Sequence, residues 1–113
     1  MQLDIRRIVI FTGDLARLTA FYRDVIGLEI VGQEDGWVDF AAGACRLALH
    51  AGKSKVGNRS PKIFFYTDDV GSTRAMLIKR GLTTLGPIHS TDSFDMCDAT
   101  DPDGNRIGIS SRK

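Results

Sequence analysis

The chain has 113 residues, 42% of them hydrophobic, with 15 Lys and Arg against 14 Asp and Glu for a formal net charge of +1. That length makes one small domain, burying roughly two-thirds of its unfolded surface and needing neither a disulfide framework nor a structural metal to fold. Near-neutral charge, with basic residues spread from Arg6 to Lys113, argues against nucleic acid or a membrane surface as partner and leaves small molecules or proteins.

Ile5 to Phe11 reads as a strand, and Thr12-Gly13-Asp14 as a turn with Asp14 placed to cap a helix. Leu15, Leu18, Phe21/Tyr22 and Val25/Ile26 then follow helical spacing, and Gly27 supplies the stop. Three short strands are predicted next, Leu28 to Val31, Trp37 to Ala41 and Arg46 to His50, with turns short enough for an antiparallel meander. After the polar stretch Gly52 to Ser60 the order begins again. Lys62 to Thr67 is a strand, Asp68-Asp69 a cap, Val70, Thr73 and Met76/Leu77 a helix face, and Gly81 a stop. Strands near Leu82 to Leu85, Phe94 to Ala99 and Arg106 to Ser110 complete a second βαβββ unit. Asp14-Leu15 matches Asp69-Val70 at an offset of 55, and Gly27-Leu28 matches Gly81-Leu82 at 54, so the chain reads as a module built twice. Module one covers about 3–51, a linker about 52–60 and module two about 61–113 of a single 1–113 domain.

Three stretches carry a family resemblance: Gly13-Asp14-Leu15 leading to Phe21-Tyr22-Arg23-Asp24-Val25-Ile26-Gly27-Leu28, Asp68-Asp69-Val70 leading to Arg80-Gly81-Leu82, and the hairpin turn Asp101-Pro102-Asp103-Gly104-Asn105. With them the sequence resembles the glyoxalase, bleomycin-resistance and extradiol dioxygenase superfamily, the vicinal oxygen chelate fold. The resemblance implies an α+β fold in which two βαβββ modules form a curled mixed sheet, a cup with helices outside, and it implies a homodimer. In metal-dependent members it implies a divalent cation held by His, Gln or Glu on the first and last strands of each module, where two substrate oxygens chelate.

Counted from the caps and final turns, those positions are Arg7, Ala48, Lys62 and Gly108. A guanidinium has no lone pair to offer, a lysine must lose its proton against a pKa of about 10.4, and Ala and Gly carry no donor atom. A one-residue shift gives Arg6, Leu47, Leu49, Pro61, Ile107 and Ile109, which are no better. The sequence therefore implies no metal and no cofactor, and it departs from the family where the metal chemistry resides.

Alternation sorts the strands. Ile8, Ile10, Leu47, Leu49, Ile63, Phe65, Ile107 and Ile109 are expected beneath the helices, and the other parity faces the cup. The candidate ligand-binding residues are Arg7, Phe11, Trp37, His50, Lys62, Phe64 and Tyr66, aromatic surface with a few cations that suit an anion or an aromatic molecule; Trp37, after Gly36, reads equally as a stacking platform for an aromatic ligand or as an edge residue buried in a dimer. Arg46 and Arg106 are expected at the rim, and Arg7 and Lys62 could instead pair with Asp39 or Asp95. His89 is placed in a loop near Pro87, and no catalytic residue is assigned, because the chain has neither a Gly-x-Ser-x-Gly elbow nor a Gly-x-Gly-x-x-Gly phosphate loop.

Cys45 and Cys97, outside any Cys-x-x-Cys, are expected as reduced, mostly buried thiols. No apolar run approaches the ~20 residues of a membrane span, and Met1 to Arg7 lacks a signal's apolar core, so a cytoplasmic protein is expected. The leading functional expectation is a metal-independent protein that binds an anionic or aromatic small molecule and is not an enzyme. A metal-dependent lyase, isomerase or dioxygenase and a structural or regulatory dimer with a closed cup are the alternatives.

Overall fold

The computed structural model describes residues 1–54 and 60–113; most of the expected linker, 55–59, lies outside the described residues. The chain divides into two units, Met1–Lys55 and Val56–Lys113. In the first, β1 (Arg7–Thr12) is followed by α1 (Leu15–Ala20), a π-helical stretch (Phe21–Ile26), β2 (Glu29–Glu34), β3 (Trp37–Ala42) and β4 (Cys45–Ala51). In the second, β5 (Ile63–Tyr66) is followed by α2 (Val70–Lys79), β6 (His89–Ser90), β7 (Asp95–Thr100) and β8 (Arg106–Ser110). Each unit holds one four-stranded mixed sheet, ordered β1-β4-β3-β2 and β5-β8-β7-β6, in which the first strand pairs in parallel with the last and the remaining pairs are antiparallel. The order is the same in both, as the sequence repeat requires.

Capping chemistry starts both helices. The Asp14 carboxylate accepts the Arg17 amide at 3.0 Å and the Asp69 carboxylate the Ser72 amide at 3.0 Å, each satisfying an orphan donor of a first turn. That amide bond holds the Asp69 carboxyl below the usual carboxylate range. Gly27 (φ 91°) and Gly81 (φ 103°) end the helical segments in the left-handed region, where a Cβ would be strained.

The first helical segment differs from the single α-helix expected over Leu15 to Ile26, because its second half is π-helical. The wider turn rotates less per residue, so the consecutive rings of Phe21 and Tyr22 both reach the core, in edge contact at 5.0 Å. Tyr22 meets Phe40 on the covered side of the sheet at 6.3 Å, beside buried Leu18, Val38, Leu47 and Leu49. In the second unit Val70, Leu77 and Leu82 are buried, as are Cys97, Ala99, Ile107 and Ile109 of the sheet. Ile8, expected in the core, is 38% exposed, beside the N-terminal segment with Leu3 and Ile5.

The strand expected at Leu82 to Leu85 does not form; β6 at His89–Ser90 takes the edge instead. The reason is local. The Thr84 hydroxyl donates to the Thr100 carbonyl (2.8 Å) and accepts the Thr100 amide (3.0 Å), and the Gly86 amide reaches the Asp98 carbonyl at 2.8 Å. A side chain thus satisfies the edge of β7 there in place of a backbone ladder. The same correction moves His89 from a loop into register with Met96.

Burial pushes the thiol of fully buried Cys97 up, while Cys45 is only half-buried. In the native protein a thiol reagent is therefore expected to label Cys45 in minutes and Cys97 only at the rate of unfolding; equal labelling rates would contradict this packing.

Candidate functional site

Directly opposed residues on neighbouring strands point to the same side, so the register defines the uncovered face of each sheet. In the first unit Arg7, Val9 and Phe11 stand beside Arg46, Ala48 and His50, which in turn stand beside Ala41, Asp39 and Trp37. In the second, Phe64 and Tyr66 stand beside Gly108 and Ser110, and these beside Asp98 and Met96. Four of the sequence-chosen residues, Arg7, Phe11, Trp37 and His50, thus share one face, and Phe64 and Tyr66 share the other with Lys62, whose ammonium reaches that face.

On the first face the four form a continuous chain of contacts. The Arg7 guanidinium lies 5.7 Å from the Trp37 ring centre, Trp37 meets His50 edge-on at 5.7 Å, and His50 meets Phe11 at 5.1 Å. Phe11 is 49% exposed, so the cluster presents aromatic surface to solvent. The His50 Nδ1–H donates to the Ala51 carbonyl at 2.7 Å, an assignment made from the partner, and in the neutral imidazole this tautomer leaves Nε2 as an acceptor.

Arg7 has a second engagement. Its Nε and Nη2 donate to the two oxygens of Asp39 at 3.2 and 2.9 Å, and Arg46 Nη1 donates to Asp39 Oδ2 at 3.2 Å. Arg46 is therefore anchored and not simply trailing into water at a rim. Asp39 is only 4% exposed. Its in-register neighbours are Gly32 and Ala48, small on both sides, which leaves room for the two guanidiniums to close over it. Hydrogen bonds from Arg7 hold the Asp39 carboxyl below its ordinary range, and the same bonds raise the Arg7 pKa.

The second face repeats the device with other residues. Lys62 Nζ donates to Asp98 at 2.6 Å and stands 5.2 Å from the Phe64 ring centre. The acid is Asp98 and not Asp95, because Asp98 is in register with Gly108 on the uncovered face while Asp95 lies on the opposite parity. Gly108 lies under Phe64: a Cβ there would come 2.6 Å from Phe64 Cε1 and 2.8 Å from the Cys97 carbonyl oxygen. The Tyr66 hydroxyl donates to the Asp68 carboxylate, which raises the Tyr66 pKa and keeps the phenol protonated.

The family model of the Glyoxalase/Bleomycin resistance protein/Dioxygenase superfamily matches residues 4–109. The chain belongs to that superfamily. Among solved structures it is similar to a lactoylglutathione lyase from Agrobacterium tumefaciens at 25% identity, covering 95% of this chain and 92% of that one with a TM-score of 0.75. An antibiotic binding protein from Streptomyces sp. is 24% identical over 96% of this chain and 94% of that one, with a TM-score of 0.79. A glyoxalase/bleomycin resistance protein/dioxygenase from Nocardioides is 16% identical over 97% and 83%, with a TM-score of 0.83. At the last two identities the likeness is one of fold. No curated protein matches the chain.

The divalent cation of the superfamily's metal-dependent members does not fit the residues present. Arg7 and Lys62 are cations bound to carboxylates, Ala48 is fully buried without a donor, and Gly108 has no room for a side chain. Among the described residues no group of three or more His, Cys, Asp or Glu is placed to hold a metal ion. No helix of the described residues is long and apolar enough to cross a membrane.

Proposed function

We propose that this superfamily member is a metal-independent small-molecule-binding protein whose ligand is held by the aromatic cluster of module one. The observation that supports this reading is the half-exposed Phe11–His50–Trp37 chain on an uncovered sheet face. Aromatic rings so placed offer stacking surface, and the His50 Nε2 offers one acceptor to orient a ligand hydroxyl or N–H. The Streptomyces neighbour, an antibiotic binding protein, supports a binding role for a chain of this fold. The aromatic reading stands on ring surface alone, whereas an anionic group needs N–H donors left over from the carboxylates that Arg7 and Lys62 already face.

Trp37 is the single tryptophan, so its fluorescence reports directly on the cluster. Titration with 2-naphthol, a planar ring carrying a hydrogen-bond donor, is expected to quench it saturably. Phe11→Ala and His50→Ala should each weaken binding by up to about tenfold, the worth of one aromatic contact. Absence of saturable quenching by 2-naphthol would overturn the reading.

The competing reading, a metal-dependent lyase, isomerase or dioxygenase, is favoured by the 25% identity to the Agrobacterium lyase. It is opposed by the donor set at Arg7, Ala48, Lys62 and Gly108. A homodimeric, cytoplasmic protein is part of our proposal, the dimer supported by exposed Leu3, Ile5 and Ile8 and the compartment by the free thiols of Cys45 and Cys97. Sedimentation at twice the chain mass is the result it expects.

A further inference from the structure

We infer that the Arg7–Asp39–Arg46 cluster is an oxyanion subsite, so that the ligand of module one is a planar aromatic molecule carrying a carboxylate or a chemically similar oxyanion. The inference rests on the reading of that face as the aromatic-binding one.

Arg7 and Arg46 are direct partners on neighbouring parallel strands and both reach the uncovered face. Like charges placed opposite each other in a sheet destabilise it. One carboxylate, that of Asp39, serves both, so within this three-residue cluster one positive charge is unmatched, while Glu34 brings the cavity lining as a whole to two cations and two anions. The acid is buried, while the cations above it are not: side-chain exposure is 6% for Asp39, 34% for Arg7 and 45% for Arg46. A buried carboxylate that fixes two half-exposed guanidiniums produces a fork whose geometry is set before any ligand arrives. Arg46 commits Nη1 to Asp39, leaving further N–H groups for a ligand oxygen.

The placement favours one occupant over two separate ones. Arg7, Trp37, Asp39 and Arg46 line an open cavity of about 540 Å³ together with Gly32, Gln33 and Glu34. Trp37 belongs both to this cavity and to the aromatic chain that runs on through His50 to Phe11. A ring stacked there brings its substituent to the guanidiniums. Glu34, directly opposite Trp37 on β2, adds a carboxylate to the lining and lowers the affinity for any anion.

The test is a Trp37 fluorescence titration with 2-naphthoate and with its uncharged analogue 2-naphthamide, accompanied by inorganic phosphate followed at the arginine Nε–H signals by NMR. The expected result is at least tenfold tighter binding of the naphthoate, with an advantage that shrinks as salt is raised. Arg46→Gln should remove most of that advantage, weakening naphthoate at least severalfold more than naphthamide, Arg46→Lys should restore part of it, and Glu34→Gln should tighten naphthoate binding severalfold. Should Arg46→Gln fail to fold, the naphthoate-to-naphthamide ratio of the native protein and its salt dependence decide. Equal binding of the two probes overturns the oxyanion subsite and leaves the aromatic reading intact. Phosphate perturbing the Arg7 and Arg46 signals while neither naphthyl probe binds overturns the aromatic reading and keeps the subsite. No response to any of the three overturns both.

Discussion

Gly108→Ala is expected to cost about 3 kcal/mol, at the upper end for an overpacked interior site. In a domain of this size that lowers the melting temperature by roughly 12 to 20 °C. A methyl group at this position meets two obstacles of different kinds. The Phe64 ring is half-exposed and turns away at modest expense, but the Cys97 carbonyl belongs to the neighbouring strand β7 and moves only with its ladder. Phe64→Ala in the same chain should therefore recover only part of the loss, and thermal denaturation of both variants checks the split. Gly108→Glu, which places at this position a carboxylate of the kind metal-dependent relatives use, should unfold the second module and not create a metal site. A stable, metal-binding Gly108→Glu protein would show that the packing around Gly108 is misread.

Asp39→Ala is the second large effect, also about 3 kcal/mol. Removing one member of a buried ionic cluster leaves the others uncompensated, here two arginines side by side on β1 and β4. The half-exposure of both guanidiniums keeps the loss at the low end of the range for buried pairs. Replacing the whole cluster by apolar residues, as in Asp39→Leu with Arg7→Met and Arg46→Met, should lose less than Asp39→Ala alone, and a double-mutant cycle on Asp39→Ala and Arg7→Met measures the coupling. The carboxylate also gives stability a pH dependence. Its folded pKa is depressed by the arginines, so its contribution is complete above the unfolded value of about 3.9 and is lost as pH falls through the lower folded value. Asp39→Asn should flatten the stability profile below about pH 4 and leave its shape at neutral pH unaltered.

The repeated βαβββ order was legible because its signals are local. Asp14 and Asp69 cap, Gly27 and Gly81 stop, and period-two alternation marks the strands between them. What depended on register was not legible. Nothing in the order of residues says that Asp39 lies between Gly32 and Ala48, so neither its burial nor its hold on Arg46 could be read from the chain. The same holds for the choice of Asp98 over Asp95 as the partner of Lys62, which turns on which parity of β7 faces outward. The missing strand at Leu82 to Leu85 has another cause, a threonine hydroxyl that stands in for both a backbone amide and a backbone carbonyl. Alternation alone put Phe11 and His50 on one face, while Trp37 stood out only by its place after Gly36 and not by parity. Their mutual contact required β1, β4 and β3 to lie in the observed order.

The central claim is that module one of this superfamily member binds an aromatic ligand without a metal. It is tested most directly by titrating Trp37 fluorescence with 2-naphthol in chelator, then again with saturating nickel, zinc, manganese or ferrous iron. The account predicts saturable quenching in chelator and the same dissociation constant with each cation. Quenching that appears only when one of the metals is added would contradict it.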